Sequence, residues 1–245
     1  MGGHASALGN RLARHRRRRF RPYAVWICPS VTLGAMVLGG RGSCVEGHTQ
    51  TAESLLDGRL GALSDSTRIP VAEPALETER LLLRRLAPGD AAALHRCTGD
   101  PAVMRYWHPG PDPDVAATQR RIAEIEAHWR EHGFGDFAVV ARDSGELIGF
   151  AGLHRIADIT EVNVGYALAS TRWRCGLGTD LCQALLAHGF TVLALPEVVA
   201  VIDPRNTVSV ALAERCGLLF RRELTWQGQP RVLHALTQTE FEAGR

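Results

Sequence analysis

The chain of 245 residues is 45% hydrophobic and 22% charged, an ordinary globular composition that can bury a sizeable core and allows one or two domains. Its formal net charge of +2 is unevenly placed: "RLARHRRRRFR" (11–21) holds most of the excess, and no stripe of basic residues interleaved with aromatics runs through the remainder. That argues against a nucleic-acid surface.

Residues 1–70 differ from the rest. The arginine run leads into "YAVWICPSVTLGAMVLGG" (23–40) and then a Gly/Ser/Thr-rich stretch to Pro70. Arg17, Arg18 and Phe20 echo a twin-arginine signal, yet the apolar part is short for a spanning helix, is broken by Pro29 and several glycines, and leads to no clear A-x-A cleavage site. The segment is read as a low-complexity, disordered extension, with a targeting or membrane-anchoring role as the alternative. The six cysteines (28, 44, 97, 175, 182 and 216) show neither CxxC nor metal-like Cys/His spacing. They read as reduced thiols of a cytoplasmic protein that holds no metal.

Folding signals begin near residue 75, and a single domain is expected over 75–242. "RLLLRRL" (80–86) reads as a strand, and "PGDAAALHRC" as a short helix with Asp90 as its cap. "TQRRIAEIEAHWREHG" (118–133) places Ile122, Ile125 and Trp129 at helical spacing, with Thr118 as cap and Gly133 as stop. "FAVVAR" and "LIGFAGL" flank the turn "DSGE" and predict a hairpin. A strand over 161–169, a helix over 179–190, a short strand over 197–203 buried on both sides, and a helix over 206–217 follow. Two strands around "WQGQ" (226–229) complete the series. This order predicts an α+β fold, a mixed and mostly antiparallel sheet with helices on both faces and some parallel pairing.

The segment with the most chemistry is "TRWRCGLGTD" (171–180), at a strand-to-helix junction. A helix N-terminus leaves backbone N–H groups unpaired and carries partial positive charge; glycine there lets a ligand approach closely. Amides from Arg174 to Thr179 would form an anion cradle suited to phosphate, with Arg172 or Arg174 adding charge. The segment lacks the lysine of a P-loop and the G-x-G-x-x-G of a dinucleotide loop. Taken alone, G-x-G at a helix start fits a tight turn equally well.

Four stretches taken together resemble the Gcn5-related N-acetyltransferase superfamily (GNAT), in its branch that acetylates ribosomal-protein N-termini. They are "LETERLLLRRLAPGDAAAL" (76–94), "VNVGYALASTRWRCGLGTDLCQALLAHGF" (162–190), "VVAVIDPRNTVSVALAERCGL" (198–218) and "PRVLHALTQTEF" (230–241). The resemblance implies a GNAT fold, acetyl-coenzyme A as co-substrate, a primary amine as acceptor (a peptide N-terminus or a small molecule) and direct attack of the amine on the thioester. An acyl-coenzyme A-binding regulatory module of weak or no catalysis is the alternative. A metal, a nucleic-acid partner and a membrane role are not expected; a monomer and a homodimer both remain open.

On this resemblance Leu168, Arg174, Cys175, Gly176, Leu177, Gly178, Thr179 and Asn206 bind coenzyme, a main-chain N–H at the 166–170 strand end polarises the thioester, and Ser209 hydrogen-bonds the leaving sulfur. Strand alternation sets Glu161, Asn163 and Gly165 on one face. Glu161 is then the expected base and Asn163 orients the amine or a water. Trp107 and His108, in the loop "RYWHPGPDP", are expected to touch the acceptor. The sequence departs from the family pattern at three positions: Trp173 at the first motif position, Asn163 where Glu is usual, and Ala213 where many members carry a Tyr acid.

Overall fold

The computed structural model describes residues 75–244; the expected 1–70 extension lies outside them. The described residues build one eight-stranded sheet. Its strands are β1 (Leu76–Glu77), β2 (Leu81–Arg85), β3 (Asp136–Ala141), β4 (Leu147–Arg155), β5 (Val162–Leu168), β6 (Glu197–Ile202), β7 (Leu219–Trp226) and β8 (Gln229–Thr237), in the spatial order β1-β2-β3-β4-β5-β6-β8-β7. Every neighbouring pair is antiparallel except β5 with β6. The helices are α1 (Ala91–Thr98), α2 (Val115–His132), α3 (Leu177–Thr191), α4 (Thr207–Arg215) and α5 (Gln238–Ala243). None is long and apolar enough to cross a membrane.

Local chemistry explains most of these elements. Leu81 and Leu83 alternate inward on β2 and are fully buried. Arg84 beside them forks onto Asp90 with contacts of 2.7 and 2.8 Å. Asp90 is thereby occupied, and also accepts from the Ala87 N–H at 2.8 Å, so it does not cap α1 through its side chain as the sequence suggested. Helix α2 begins three residues before the expected start. Asp114 accepts from the Ala117 N–H at 2.7 Å and is the cap. Thr118, the expected cap, is buried and bonds Asp112 at 2.9 Å. Gly133 closes the helix at φ +75°, a left-handed value that favours glycine. Two elements were not expected: the two-residue β1 and the capping-box helix α5, where Thr237 and Glu240 bond reciprocally.

The core runs between the sheet and its helices. Phe137 on β3 is 1% exposed and packs edge-on against Trp129 of α2 with ring centroids 5.0 Å apart. A smaller apolar cluster of Ile159, Val199, Leu233 and Ala235 lies elsewhere, joined by Ile156, Leu224 and Trp226. Residues at alternate positions of the same strands, Val198, Ala200, Ile202 and Leu236, belong to the main core. In the β6–β8 half, the sheet thus presents two faces with separate partners. We expect Phe137→Ala to destabilise the fold by about 3–5 kcal/mol, read as a lower midpoint in urea denaturation at unchanged slope.

Candidate active site

The sheet has one incomplete seam. β5 and β6 pair only at Val162↔Val198 and Asn163↔Val199, although β5 continues to Leu168 and β6 to Ile202. The backbone edge of β5 beyond Asn163 has no ladder to β6, and edge groups that must bond are available to a ligand. A cavity of about 210 Å³ opens at this seam. Tyr166, Cys182, Ser209 and Ala213 line it from the side of α3 and α4; Trp107, His108, His154, Asn163 and Arg231 also face it.

The "TRWRCGLGTD" loop follows β5. The Trp173 indole N–H donates to the Leu168 carbonyl at 2.8 Å and ties the loop back to the strand end. Arg174 (φ +61°) and Gly176 (φ +78°) both take left-handed values, which turn the chain sharply into α3. Among the described residues, none of the N–H groups of Arg174, Cys175, Gly176, Leu177 and Gly178 has a protein acceptor. Five consecutive free amides at the start of a 15-residue helix make a cradle for an anion. Thr179 N–H instead closes onto the Gly176 carbonyl at 3.1 Å.

One side chain at the cradle, Arg80, was not expected there. Arg80 donates to the Cys175 carbonyl at 2.6 Å and to Asp180 at 2.7 Å, and its guanidinium lies 3.2 Å from where a Gly176 Cβ would stand. Only the fold brings a residue 95 positions distant to this turn. Arg172 is instead engaged elsewhere, with Asp143 at 3.4 Å and Glu146 at 3.1 Å. Gly178 sits within α3, and a Cβ there would stand 2.8 Å from Leu212 Cδ1 of α4. Its smallness serves helix packing as well as access. Cys175 is exposed, and its thiol donates to the Trp173 carbonyl at 3.4 Å.

At the other wall, three side chains form a chain across β3, β4 and β5. His154 pairs directly with Asn163 in the β4–β5 ladder. Its Nδ1 lies 3.2 Å from Asp136 Oδ1 and its Nε2 lies 3.2 Å from Asn163 Nδ2. Asn163 Oδ1 accepts from the Val201 N–H at 2.9 Å, so the amide Nδ2 must face the imidazole. The ring therefore carries its proton on Nδ1, toward Asp136, and presents a lone pair at Nε2. Burial lowers the imidazole pKa, but the Asp136 carboxylate outweighs it and leaves His154 above its ordinary value. Gly165 makes room for this ring: a Cβ there would stand 2.8 Å from His154 Cε1.

Glu161 is not part of this group. It precedes β5 and does not line the cavity. The Thr160 hydroxyl donates to it at 2.9 Å, and Arg222 lies 4.0 Å away. Main-chain hydrogen bonding, with help from Thr160 and Arg222, lowers its pKa. A carboxylate so held is a poor proton acceptor, and the base expected at Glu161 is absent from the cleft. The signal for His154 was available only through strand register, since its partners lie 18 and 9 residues away.

Asn206 accepts from the Ser209 N–H at 3.2 Å, capping α4, and both line the cavity. Trp107 tilts onto Phe150 at 5.1 Å, and His108 meets Trp226 edge-on at 6.5 Å. Tyr166 projects beside Ser209, next to the space Ala213 leaves. Burial raises its pKa, so the phenol stays protonated.

Residues 80–219 match the family model described as an acetyltransferase (GNAT) domain. The chain belongs to the GNAT acetyltransferase family. Over 149 residues it is 32% identical to an uncharacterized N-acetyltransferase, p20, of Bacillus licheniformis, covering 60% of this chain and 83% of that one. A solved acetyltransferase from Agrobacterium tumefaciens superposes with a TM-score of 0.59 at 27% identity, over 67% of this chain and 95% of its own. The ribosomal-protein-S5-alanine acetyltransferase of Vibrio fischeri, at 16% identity, TM-score 0.58 and coverage of 68% and 97%, shares the fold. This chain is thus an acyltransferase of mixed α/β architecture. Replacing Gly176 with Asp in this acetyltransferase should weaken coenzyme A binding at least tenfold, by setting a negative charge in the cradle. Calorimetric titration of coenzyme A reads this, with circular dichroism to show the fold retained.

Proposed function

We propose that the enzyme moves an acetyl group from acetyl-coenzyme A to a primary amine. The observation that carries the reading is the run of five acceptorless amides from Arg174 to Gly178 beside the parted strands. The cradle fits a diphosphate, and the β5 edge leading to Leu168 fits an amide-bearing arm. When bound, the coenzyme supplies an activated acetyl thioester. Asn206, at the start of α4, extends the same wall.

The protein's own groups then divide the work. Holding the two reactants in one cleft removes most of the entropic barrier. A main-chain N–H at the β5 end polarises the carbonyl. An ammonium must lose a proton before its nitrogen can attack, since free amines titrate near 8 to 10. Nε2 of His154 accepts that proton, and the Asp136 carboxylate stabilises the imidazolium that results. The 3.2 Å contact from Asn163 is long, so an acceptor N–H or a bridging water displaces it readily. Ser209 and Tyr166 offer hydroxyl donors to the departing sulfur. The acetyl group passes from sulfur to nitrogen; the proton the ammonium gives up before attack rests on His154 and leaves to solvent, and the second N–H proton, lost as the amide forms, ends on the departing thiolate. A cytoplasmic site of action agrees with the four free cysteines among the described residues.

Mixed primary amines and peptide N-termini, offered with acetyl-coenzyme A, should release free thiol. Coenzyme binding without turnover across a broad panel would overturn the transfer reading. His154→Gln should lower kcat by about 10²–10⁴-fold at unchanged coenzyme affinity, whereas Glu161→Gln should stay within about twofold of wild type. In the wild type kcat/KM rises with pH as His154 loses its proton. Asp136→Asn removes the carboxylate that raises the His154 pKa, so this rising limb should move to lower pH, as a pH–rate profile would show.

A further inference from the structure

The acceptor side of the cleft holds a cation with too little to bind. Arg231 of β8 is 6% exposed and lines the cavity. The structure partners only one of its three nitrogens. Nη1 donates to the Pro230 carbonyl at 2.9 Å and lies 3.4 Å from Asp203 Oδ2. Nε and Nη2 have no acceptor among the described residues.

Asp203 binds Arg205 more closely than Arg231. Its two oxygens take the Arg205 main-chain N–H at 2.9 Å, Nε at 2.9 Å and Nη2 at 2.7 Å. Those bonds, led by the Arg205 side chain, hold its pKa at about 2. It is the one carboxylate that lines the cavity, and it is shared between two guanidinium groups. The other arginine lining the cavity, Arg121, forks onto Asp112 at 3.1 and 2.7 Å and is neutralised. Arg231 thus shares its one carboxylate with Arg205 and, nine-tenths buried, keeps Nε and Nη2 as free donors. Its planar fork matches a carboxylate.

The position of Arg231 identifies what it would bind. β8 pairs with β6 through Ile202↔Val232 and Val201↔Leu233. Arg231 therefore shares a face with Val201, Leu233 and Asp203, and with Asn163, which is in register with Val199. That is the face of His154 and the acceptor, not the face of α3 and its anion cradle. The β8 position level with Asn163 is Ala235, two strands or about 10 Å away, and Arg231 lies four residues, about 13 Å, further along the strand; Arg231 and His154 line one cavity, so a single acceptor in that space faces both. Trp226 and Ile156 flank the space with apolar surface.

Building on the proposed acetyl transfer, we propose that the acceptor is a small amine that carries a carboxylate, of the amino-acid type, and that Arg231 holds this carboxylate while the amine faces His154. The chemistry is self-consistent: a fixed positive charge attracts the anionic end and disfavours an ammonium at the amine end, easing its deprotonation.

The test compares 4-aminobutanoate with n-butylamine, which share chain length and amine type. In the wild type kcat/KM should favour 4-aminobutanoate by at least tenfold. Arg231→Gln should reduce that ratio at least tenfold, mainly through KM, while Arg231→Lys restores part of it. N-acetyl-4-aminobutanoate, titrated calorimetrically into the coenzyme A-bound protein, gives a readout independent of turnover; its binding should be lost in Arg231→Gln. Thermal unfolding and coenzyme affinity establish that the variants are folded. Equal use of the two amines by the wild type, or equal binding of the acetylated probe to wild type and Arg231→Gln, overturns the assignment. Probe binding that depends on Arg231 without any amine turnover supports the carboxylate site and instead defeats the transfer reading.

Discussion

The architecture turns on two strands that run parallel and then part. β5 and β6 share two paired positions and diverge. A parallel ladder left incomplete would be a defect in a purely structural sheet, because the unpaired edge must find partners. Here the parting opens a cleft between α3 and α4 on one side and the aromatic loop around Trp107 on the other. The anion cradle at Gly176 lies at the end of the strand that departs. Cradle, edge and cavity are successive consequences of one break in pairing.

The chemistry is distributed across the sheet by register. Strand alternation sends Asn163 and Tyr166 of β5 to opposite faces. Asn163 joins His154 and Asp136, residues from three adjacent strands that the ladder sets side by side. Tyr166 turns to Ser209 and Ala213. In the proposed reaction, proton removal and support of the departing sulfur then fall on opposite faces of the sheet. The amide of Asn163 faces an imidazole one strand over, His154, which has its own carboxylate partner in Asp136; in the proposed reaction that imidazole takes the basic role.

What could be read from the sequence follows from how local each signal was. The strand–loop–helix motif, the "DPRN" turn and the helical stop at Gly133 are written in consecutive residues, and the fold class and the sharp turn into α3 emerged from them. Helix starts were less legible. Thr118 looked like a cap, but Asp114 reaches the Ala117 N–H while Thr118 is drawn inward by Asp112. The expected base, Glu161, shows the same limit. Glu161 is adjacent to the motif in sequence, yet it lies ahead of β5, turned to Arg222. His154, Arg80 and Arg231 reach their places only through strand pairing, and no local pattern around them announces it.

The contact between Gly178 and Leu212 bears on how the cleft can move. With no side chain at 178, α4 settles directly on the first turn of α3, and the helices that carry the cradle and Ser209 interlock. One cannot swing outward without levering the other. Loading and unloading are then expected to proceed by threading along the open rim between β5 and β6, with the helical wall as a fixed jaw. Whatever compliance the cleft has belongs to the aromatic loop and the β7–β8 hairpin opposite.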